Sequence, residues 1–187
     1  DVLDFSKIEA GKLELDSIDF DLQECLKQLK GLFETNAQTK GLKFTIDLHP
    51  DVHRHLRGDP LRLAQILNNL VSNALKFTRE GGVSVTITAP EKHELSAKYP
   101  IKFAIRDTGI GINEDQRLRI FDAFEQADTS ISRRFGGSGL GLAISQRLCK
   151  MKVCSAKEVA SISSLIFKPR SRHLRQNSNP VHPITTF

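Results

Sequence analysis

Two asparagines and a lysine stand at helical spacing within an otherwise apolar stretch, and they are the first candidates for chemistry. Asn69, Asn73 and Lys76 follow one another at steps of four and three residues, so a helix would bring them onto one narrow stripe. A neutral amide oxygen can ligate Mg²⁺ beside phosphates, and a lysine one turn further on can meet those phosphates. Taken alone, the stretch is equally compatible with an ordinary solvated helix face.

Two glycine-rich segments downstream favour a nucleotide as the ligand. Asp107 ends a predicted strand and precedes Thr-Gly-Ile-Gly. Its carboxylate can accept the amino proton of adenine, which guanine does not offer there, while Gly109 and Gly111 let the backbone approach the base. An ordinary Asp-Gly turn is the alternative. Residues 136–142, GGSGLGL, open a predicted helix, and the backbone NH groups of such a turn can bind phosphates.

Two other phosphate-binding motifs do not fit these glycines. A P-loop needs Lys-Ser or Lys-Thr after its glycines, but Leu140 and Leu142 stand there. A dinucleotide-binding fingerprint needs a strand immediately before the glycines, but residues 125–135 are polar and have the length of a mobile lid. The sequence His93-Glu94-Leu95 lies between predicted strands and lacks an Arg-Thr-Pro continuation, so we do not assign it as a phosphoacceptor.

Hydrophobic periodicity predicts the elements that position these residues. The central helix, residues 60–78, is opened by Asp59 as N-cap and Pro60, and its apolar face predicts a core. That face consists of Leu63, Ile66, Leu67, Leu70, Val71 and Ala74. The other predicted helices cover residues 1–10, 21–39, 114–124 and 140–150, and a capping box of Asp21 and Glu24 opens the second of these. The predicted strands cover residues 12–15, 44–48, 83–87 and 101–105. Residues 49–58 are predicted to form a loop.

Composition bounds the class of protein. The 187 residues suffice for one domain with attachments, and the chain, which contains no run of eighteen apolar residues, is expected to be soluble. The net charge of +5 comes from residues 150–187, which hold seven Lys or Arg against Glu158 alone, so residues 1–149 carry −1. A dedicated nucleic-acid binder would carry its positive charge on a folded face, so this distribution of charge argues against that class of protein. Cys25, Cys149 and Cys154 lack metal-ligand spacing and indicate buried thiols in a reducing compartment.

The order of these motifs resembles that of the histidine kinase catalytic domain, a member of the GHKL superfamily of ATP-binding proteins. The asparagine-bearing helix, DTGIGI, the Phe-rich helix, the lid and GGSGLGLAIS are similar to its N, G1, F and G2 boxes. The resemblance implies a two-layer α/β sandwich whose mixed sheet is covered on one face by helices. It also implies that residues 1–11 are the end of a dimerisation helix and its linker, as in hybrid sensor kinases, and that residues 12–150 are the ATP-binding domain.

The resemblance also implies a role for each matching position. Asn73 would ligate Mg²⁺, with Asn69 as a second candidate ligand, and Lys76 would face phosphate. Asp107 would bind adenine, and the phenylalanines of the F box would pack the root of the lid. Arg133 or Arg134 would reach the γ-phosphate. The implied cofactor-binding residues are Asn69, Asn73, Lys76, Asp107, Gly109, Gly111, Phe121, Phe124, Arg134, Gly137, Gly139, Leu140 and Gly141.

The implied activity is that of a protein histidine kinase, which transfers the γ-phosphoryl group of Mg-ATP to a histidine on a dimerisation domain outside these residues. The implied partners are that domain, a response regulator receiver domain, and a second copy joined through the dimerisation helices. The implied location is the cytoplasm, and the parent protein is either soluble or membrane-anchored. No specific nucleic acid is expected. Two alternatives stay open: a degenerate GHKL module that binds nucleotide and regulates a partner, and another GHKL ATPase such as a topoisomerase or chaperone.

The resemblance ends near residue 150. The family pattern continues to a Met-Gly-Gly turn and two core strands, whereas residues 151–187 become rich in Ser, Lys, Arg, Asn and Pro. This composition predicts a divergent, basic, disordered tail that replaces the last strands of the sheet. A frameshift, a retained intron or an alternative splice end would explain such a tail. A functional basic tail that binds nucleic acid or acidic lipid is the alternative.

Overall fold

The computed structural model describes residues 2–89, 101–112, 116, 119–123, 139–151 and 154–156. None of the helices in these ranges combines the length and apolar character needed to cross a bilayer. In chain order the elements are α1 (Val2–Glu9), β1 (Ile18–Asp21), α2 (Leu22–Thr39), β2 (Lys43–Leu48), β3 (His55–Gly58), α3 (Pro60–Phe77), β4 (Gly82–Thr88), β5 (Lys102–Asp107), α4 (Gly141–Lys150) and β6 (Cys154–Ala156).

A mixed three-stranded sheet forms one layer of the domain. Strand β4 is its centre, parallel to β2 and antiparallel to β5. The side chains of β4 alternate between buried and half-buried, as the sequence pattern predicted, and the buried face packs against α3 while α2 covers β2. The predicted α/β sandwich with a mixed sheet is therefore confirmed.

A second sheet has the order β1-β3-β6, and both of its pairings are antiparallel. The predicted strand at residues 12–15 was wrong, because the strand lies at Ile18–Asp21, and the predicted loop at residues 49–58 ends in β3. Strands β1 and β3 are four residues long. Leu56 is the one large apolar side chain of β3, so backbone pairing with a distant partner, rather than side-chain pattern, defines that strand. Within the segment predicted as a disordered tail, residues 154–156 form β6 beside Leu56–Gly58.

Helix α3 is buried along one side, which leaves its polar stripe facing the other way. The carboxylate of Asp59 caps the helix by accepting a hydrogen bond from the Arg62 amide at 2.9 Å, and its second oxygen accepts from the Asp16 amide at 3.2 Å. The predicted apolar face is confirmed, because all of its side chains are buried, together with Leu75.

The N-terminal end of α2 departs from the predicted capping box. Asp21 does cap the helix, accepting from the Gln23 amide at 2.8 Å. Glu24, however, forms an exposed ion pair with Lys27 instead of reaching back to the cap. Beyond the other end of α2, the ammonium of Lys40 donates to the carbonyl oxygen of Leu75 at 3.0 Å, which ties this end to the last turn of α3.

Cys25 and Cys149, which the sequence predicts as buried thiols, are half-buried. Burial raises the pKa of both, that of Cys149 to about 11. Among the residues that the structure describes, no group of three or more His, Cys, Asp or Glu side chains is arranged to hold a metal ion.

Helix α1 is held against α3 and α4 by polar contacts. The carboxylate of Asp4 accepts hydrogen bonds from Arg62 and from Gln65, both at 2.9 Å. On the other side, the guanidinium of Arg147 pairs with Glu9 and lies 4.6 Å from the ring centroid of Phe5. The segment that resembles the end of a dimerisation helix therefore docks beside the asparagine-bearing helix.

We expect Asp4→Asn to loosen α1 without disturbing the core. Hydrogen bonds from Gln65 and Arg62 hold the pKa of the Asp4 carboxyl below its ordinary value. This stabilisation is therefore complete above the ordinary carboxyl pKa and is lost as the pH falls through the lower folded value. Since the group remains near solvent, the cost is about 1 kcal/mol, which is roughly a fivefold gain in opening.

Hydrogen exchange of peptides covering residues 2–9 at neutral pH measures this opening. The matched control is Asp47→Asn, an exposed carboxylate on β2. Unchanged exchange of α1 in Asp4→Asn would show that the ion pair does not hold the helix.

Candidate functional site

The polar stripe of α3 carries a chain of hydrogen bonds that reaches into α4. The side-chain nitrogen of Asn73 donates to Oδ1 of Asn69 at 3.3 Å, and Nδ2 of Asn69 donates to the hydroxyl of Ser145 at 2.9 Å. Both asparagines are half-buried, whereas Ser145 is buried. The two predicted metal-ligand candidates therefore lie in contact, in a fixed orientation relative to each other.

The start of α4 approaches this amide pair closely. A Cβ atom on Gly141 would fall on the side-chain amide of Asn69, so only glycine fits the present contact. The preceding residues follow the sequence prediction of a tight turn, because Gly139 has a φ of +70°. The N-cap of α4 is the buried Leu140, which supplies no capping side chain. The first NH groups of a helix lack partners within that helix, so a helix start of this kind suits an anion.

The turn after β5 rests on the C-terminal end of α3. The amide of Gly109 donates to Oδ1 of Asp107 at 2.8 Å, and the amide of Ile110 donates to the carbonyl oxygen of Phe77 at 3.3 Å. A Cβ on Gly109 would lie 2.5 Å from that same carbonyl oxygen. The glycine is therefore required by the close approach of two backbones, and the turn fixes one oxygen of the Asp107 carboxylate.

Thr108 fastens this turn to the start of β4, a contact that the sequence analysis missed. Its hydroxyl donates to the carbonyl oxygen of Glu80 at 2.6 Å and accepts from the Gly82 amide at 3.0 Å. A Cβ on Gly81 would collide with the same hydroxyl. The glycine pair at the start of β4 was visible in the sequence, but nothing local connected it with a threonine that follows β5.

Helix α3 is thus the element shared by both halves of the site. Asn69 meets the glycine turn of α4, and Phe77 meets the glycine turn of β5. These two positions are about 12 Å apart along the helix axis at the ordinary rise per residue. An elongated ligand with a base at one end and phosphates at the other would match this spacing.

A groove of about 550 Å³ opens between α1, α3 and α4. It reaches the amide chain but not the carboxylate at the end of β5. Its polar lining includes Asp4, Arg62, Gln65, Asn69 and Ser145. Asn69 lines this groove, whereas Asn73, Asp107 and Gly139 are not part of its lining.

The remaining predicted site residues are divided between the described and undescribed parts of the chain. The ammonium of Lys76 lies 5.3 Å from the ring centroid of Phe77, at the end of the same stripe. Gly111 has a φ of +67°, which fits its predicted place in the turn, and Phe121 is half-buried. The following lie outside the described residues: Phe124, Arg133, Arg134, Gly137, the predicted lid at residues 125–135 and the sequence His93-Glu94-Leu95.

The donor set suits a magnesium ion escorted by phosphates better than a metal bound by protein alone. The candidate ligands on α3 are neutral amide oxygens, and Mg²⁺ in proteins commonly takes few protein ligands and completes its shell with phosphate oxygens and water. The hydrogen-bond chain directs the nitrogen of Asn73 toward Asn69, so the oxygen of the same amide is the group left for a cation.

This combination defines a class of protein, namely a two-layer nucleotide-binding domain built around an amide-bearing helix between two glycine turns. A family model described as "Histidine kinase-, DNA gyrase B-, and HSP90-like ATPase" matches residues 58–171, more than half of the chain. The chain belongs to this family, and it carries the ATPase domain of the sensor histidine kinase type.

Named relatives and solved structures agree with this membership. The chain is 52% identical over 149 residues to the signal transduction histidine-protein kinase BarA of Escherichia coli K12, covering 79% of this chain and 16% of BarA. It is 44% identical over 151 residues to hybrid signal transduction histidine kinase F of Dictyostelium discoideum, covering 81% of this chain and 13% of that protein. It thus spans a small part of these relatives.

The crystal structure of full-length ShkA in complex with AMPPNP superimposes with a TM-score of 0.67 at 34% identity, covering 81% of this chain and 29% of ShkA. The Acinetobacter baumannii histidine kinase AdeS, at 23% identity and a TM-score of 0.57, shares the fold, with 80% of this chain and 63% of that chain covered.

Proposed function

We propose that this chain binds Mg-ATP and transfers its γ-phosphoryl group to a histidine on a dimerisation domain outside these 187 residues. The observation that carries the proposal is the arrangement along α3, where the amide pair meets the start of α4 at one position and the Asp107 turn rests on Phe77 at another. The AMPPNP complex of the related ShkA supports ATP as the nucleotide.

Different residues of the chain would bind the base, the phosphates and the metal ion. One oxygen of the Asp107 carboxylate is engaged by the turn, and the other would accept the amino proton of adenine. The NH groups at the start of α4 and the ammonium of Lys76 would hold the phosphates. The oxygen of Asn73, and that of Asn69 as a second candidate, would hold Mg²⁺, which when bound neutralises charge on the phosphates.

The phosphoryl transfer breaks the bond between the γ-phosphorus and its bridging oxygen and forms a bond to an imidazole nitrogen, with ADP as the leaving group. Positioning and charge neutralisation supply most of the catalysis in such reactions. Three further implied residues would complete the nucleotide site: Phe124 at the root of the lid, Arg134 in the lid and Gly137 in the first half of the glycine turn.

Nucleotide titrations with Asp107→Asn and Asn73→Asp test the proposal. Calorimetric titration with ATP and GTP, each with Mg²⁺ and with chelator, is expected to show ATP preference in the wild type. Asp107→Asn should weaken ATP binding tenfold or more, because a hydrogen bond to a charged group is worth about 1.5–3 kcal/mol, and should abolish the preference over GTP. Asn73→Asp should alter mainly the Mg²⁺-dependent part.

Matched controls make the same chemical changes at exposed positions away from the site. These controls are Asp47→Asn on β2 and Asn36→Asp on α2. Should all the variants titrate alike with both nucleotides, the roles of Asp107 and Asn73 would be refuted.

Phosphorylation in trans distinguishes a kinase from a nucleotide-binding regulatory module or another ATPase of the family. A separately supplied dimerisation domain should acquire acid-labile phosphate from ATP. Binding without transfer would favour the regulatory module, and slow hydrolysis without phosphohistidine would favour another ATPase. The proposed setting is cytoplasmic, with a homodimer formed through the dimerisation helices and a response regulator receiver domain downstream. The hybrid kinases among the relatives support a dimerisation domain and a receiver domain in the parent protein.

A further inference from the structure

Ser145 is a buried polar side chain without an obvious local reason to be buried. It is 2% exposed and lies inside α4. The other buried polar side chains that the structure describes, Asp59 and Thr78, cap the two ends of α3. Ser145 instead accepts a hydrogen bond across the helix interface, from Nδ2 of Asn69 at 2.9 Å.

This contact is one end of a chain of side-chain amides that share a single direction. An amide can present either its oxygen or its nitrogen to a given side, and the two groups have opposite polarity. Because Nδ2 of Asn69 is engaged by Ser145, its Oδ1 faces Asn73 and accepts from the nitrogen of that residue. The oxygen of Asn73 is then the atom presented to a ligand.

If the side-chain amides of Asn69 and Asn73 were both flipped, Asn73 would present an NH₂ group in place of that oxygen. An NH₂ group repels a cation, so the sense of the amides decides whether the stripe can ligate a metal at all. The close approach of Gly141 to the same Asn69 amide restricts its movement from a second direction. Two of the contacts that hold this orientation, those of Ser145 and Gly141, therefore come from α4.

We propose that Ser145 is a positioning residue for the magnesium site, acting through Asn69 on Asn73. This inference rests on the proposed function, because it assigns the residue that orients the proposed metal ligand. Removal of a group that hydrogen-bonds to a metal ligand and orients it typically lowers metal affinity by about 10–100-fold.

Two substitutions at this position separate the hydroxyl from the packing. Ser145→Ala removes the acceptor with little change in volume, and it should reduce the Mg²⁺-dependent gain in ATP affinity by about tenfold or more. Binding of ATP in chelator should match the wild type. Ser145→Thr keeps the hydroxyl and adds a methyl group to a packed interface, so it should lower the melting temperature but retain the Mg²⁺-dependent gain.

Cys149→Ala is the control on the same helix. This side chain lies one turn further along α4 and is half-buried in surroundings that raise the pKa of its thiol to about 11. Its truncation should lower the melting temperature without changing the response to Mg²⁺. The measurements are calorimetric titrations of the full chain with ATP at several Mg²⁺ concentrations, with thermal unfolding of each variant.

The possible results separate this inference from the proposed function. A wild type whose ATP binding does not respond to Mg²⁺ overturns both. A wild type that responds, together with an equal response in Ser145→Ala, overturns the role of Ser145 and leaves the proposed function standing. Equal losses in Ser145→Ala, Ser145→Thr and Cys149→Ala assign the effect to packing and also overturn it.

Discussion

Gly141→Ala is expected to weaken Mg-ATP binding by roughly tenfold or more while leaving the domain folded. Helix propensity alone would make the substitution stabilise α4, because alanine is favoured over glycine in a helix by about 1 kcal/mol. The added Cβ would fall on the Asn69 amide, which must then move and release its hydrogen bonds to Ser145 and Asn73. Each hydrogen bond is worth about 1 kcal/mol, and the two together correspond to about a tenfold to thirtyfold loss.

Gly31→Ala provides the matched control for this substitution. Gly31 is also a helical glycine, in α2, and a Cβ there would meet nothing within 4 Å. Its replacement should raise the free energy of unfolding by about 0.5–1 kcal/mol and leave nucleotide binding unchanged. Thermal unfolding and calorimetric titration of both variants check the pair. Wild-type affinity in Gly141→Ala would mean that Asn69 has room to move without cost.

The sequence predicted best what is determined within a few residues. The apolar face of α3 and its Asp59 cap followed from helical periodicity and from one carboxylate before a proline. The alternation in β4 followed from its own side chains, because one face packs on the helices. The types and order of the glycine turns also followed from the sequence, since glycine is needed where backbones approach closely.

Features that depend on distant partners could not be predicted in this way. Ser145 is an unremarkable serine in a short helix, and its partner Asn69 is 76 residues away in the sequence. The Thr108 hydroxyl likewise meets backbone groups on the far side of a strand. Strand β3 exists because β1 lies beside it, and its own four residues carry almost no pattern. In each case the signal is a contact, which a single sequence does not display.

Gly109→Ala is expected to have the largest effect of the substitutions considered, with nucleotide affinity reduced about tenfold to a hundredfold. The added Cβ would lie 2.5 Å from the carbonyl oxygen of Phe77 and 2.8 Å from Oδ1 of Asp107. The first obstacle is backbone at the end of a buried helix, which cannot swing aside as a side chain can. The turn must lift away, and such overpacking costs about 1–3 kcal/mol; the middle of that range corresponds to the loss of affinity stated.

Gly109→Ala and Gly141→Ala should impair different parts of nucleotide binding, and this difference tests the division of the site along α3. Gly109→Ala displaces the proposed adenine ligand Asp107, so it should weaken adenosine and ATP alike, with or without Mg²⁺, and should reduce the preference for ATP over GTP. Gly141→Ala displaces Asn69, so it should spare adenosine and weaken only the Mg²⁺-dependent binding of ATP. Competition titrations with adenosine measure the difference. If both variants lost adenosine and Mg-ATP equally, base and phosphates would not be recognised at separate ends of the helix.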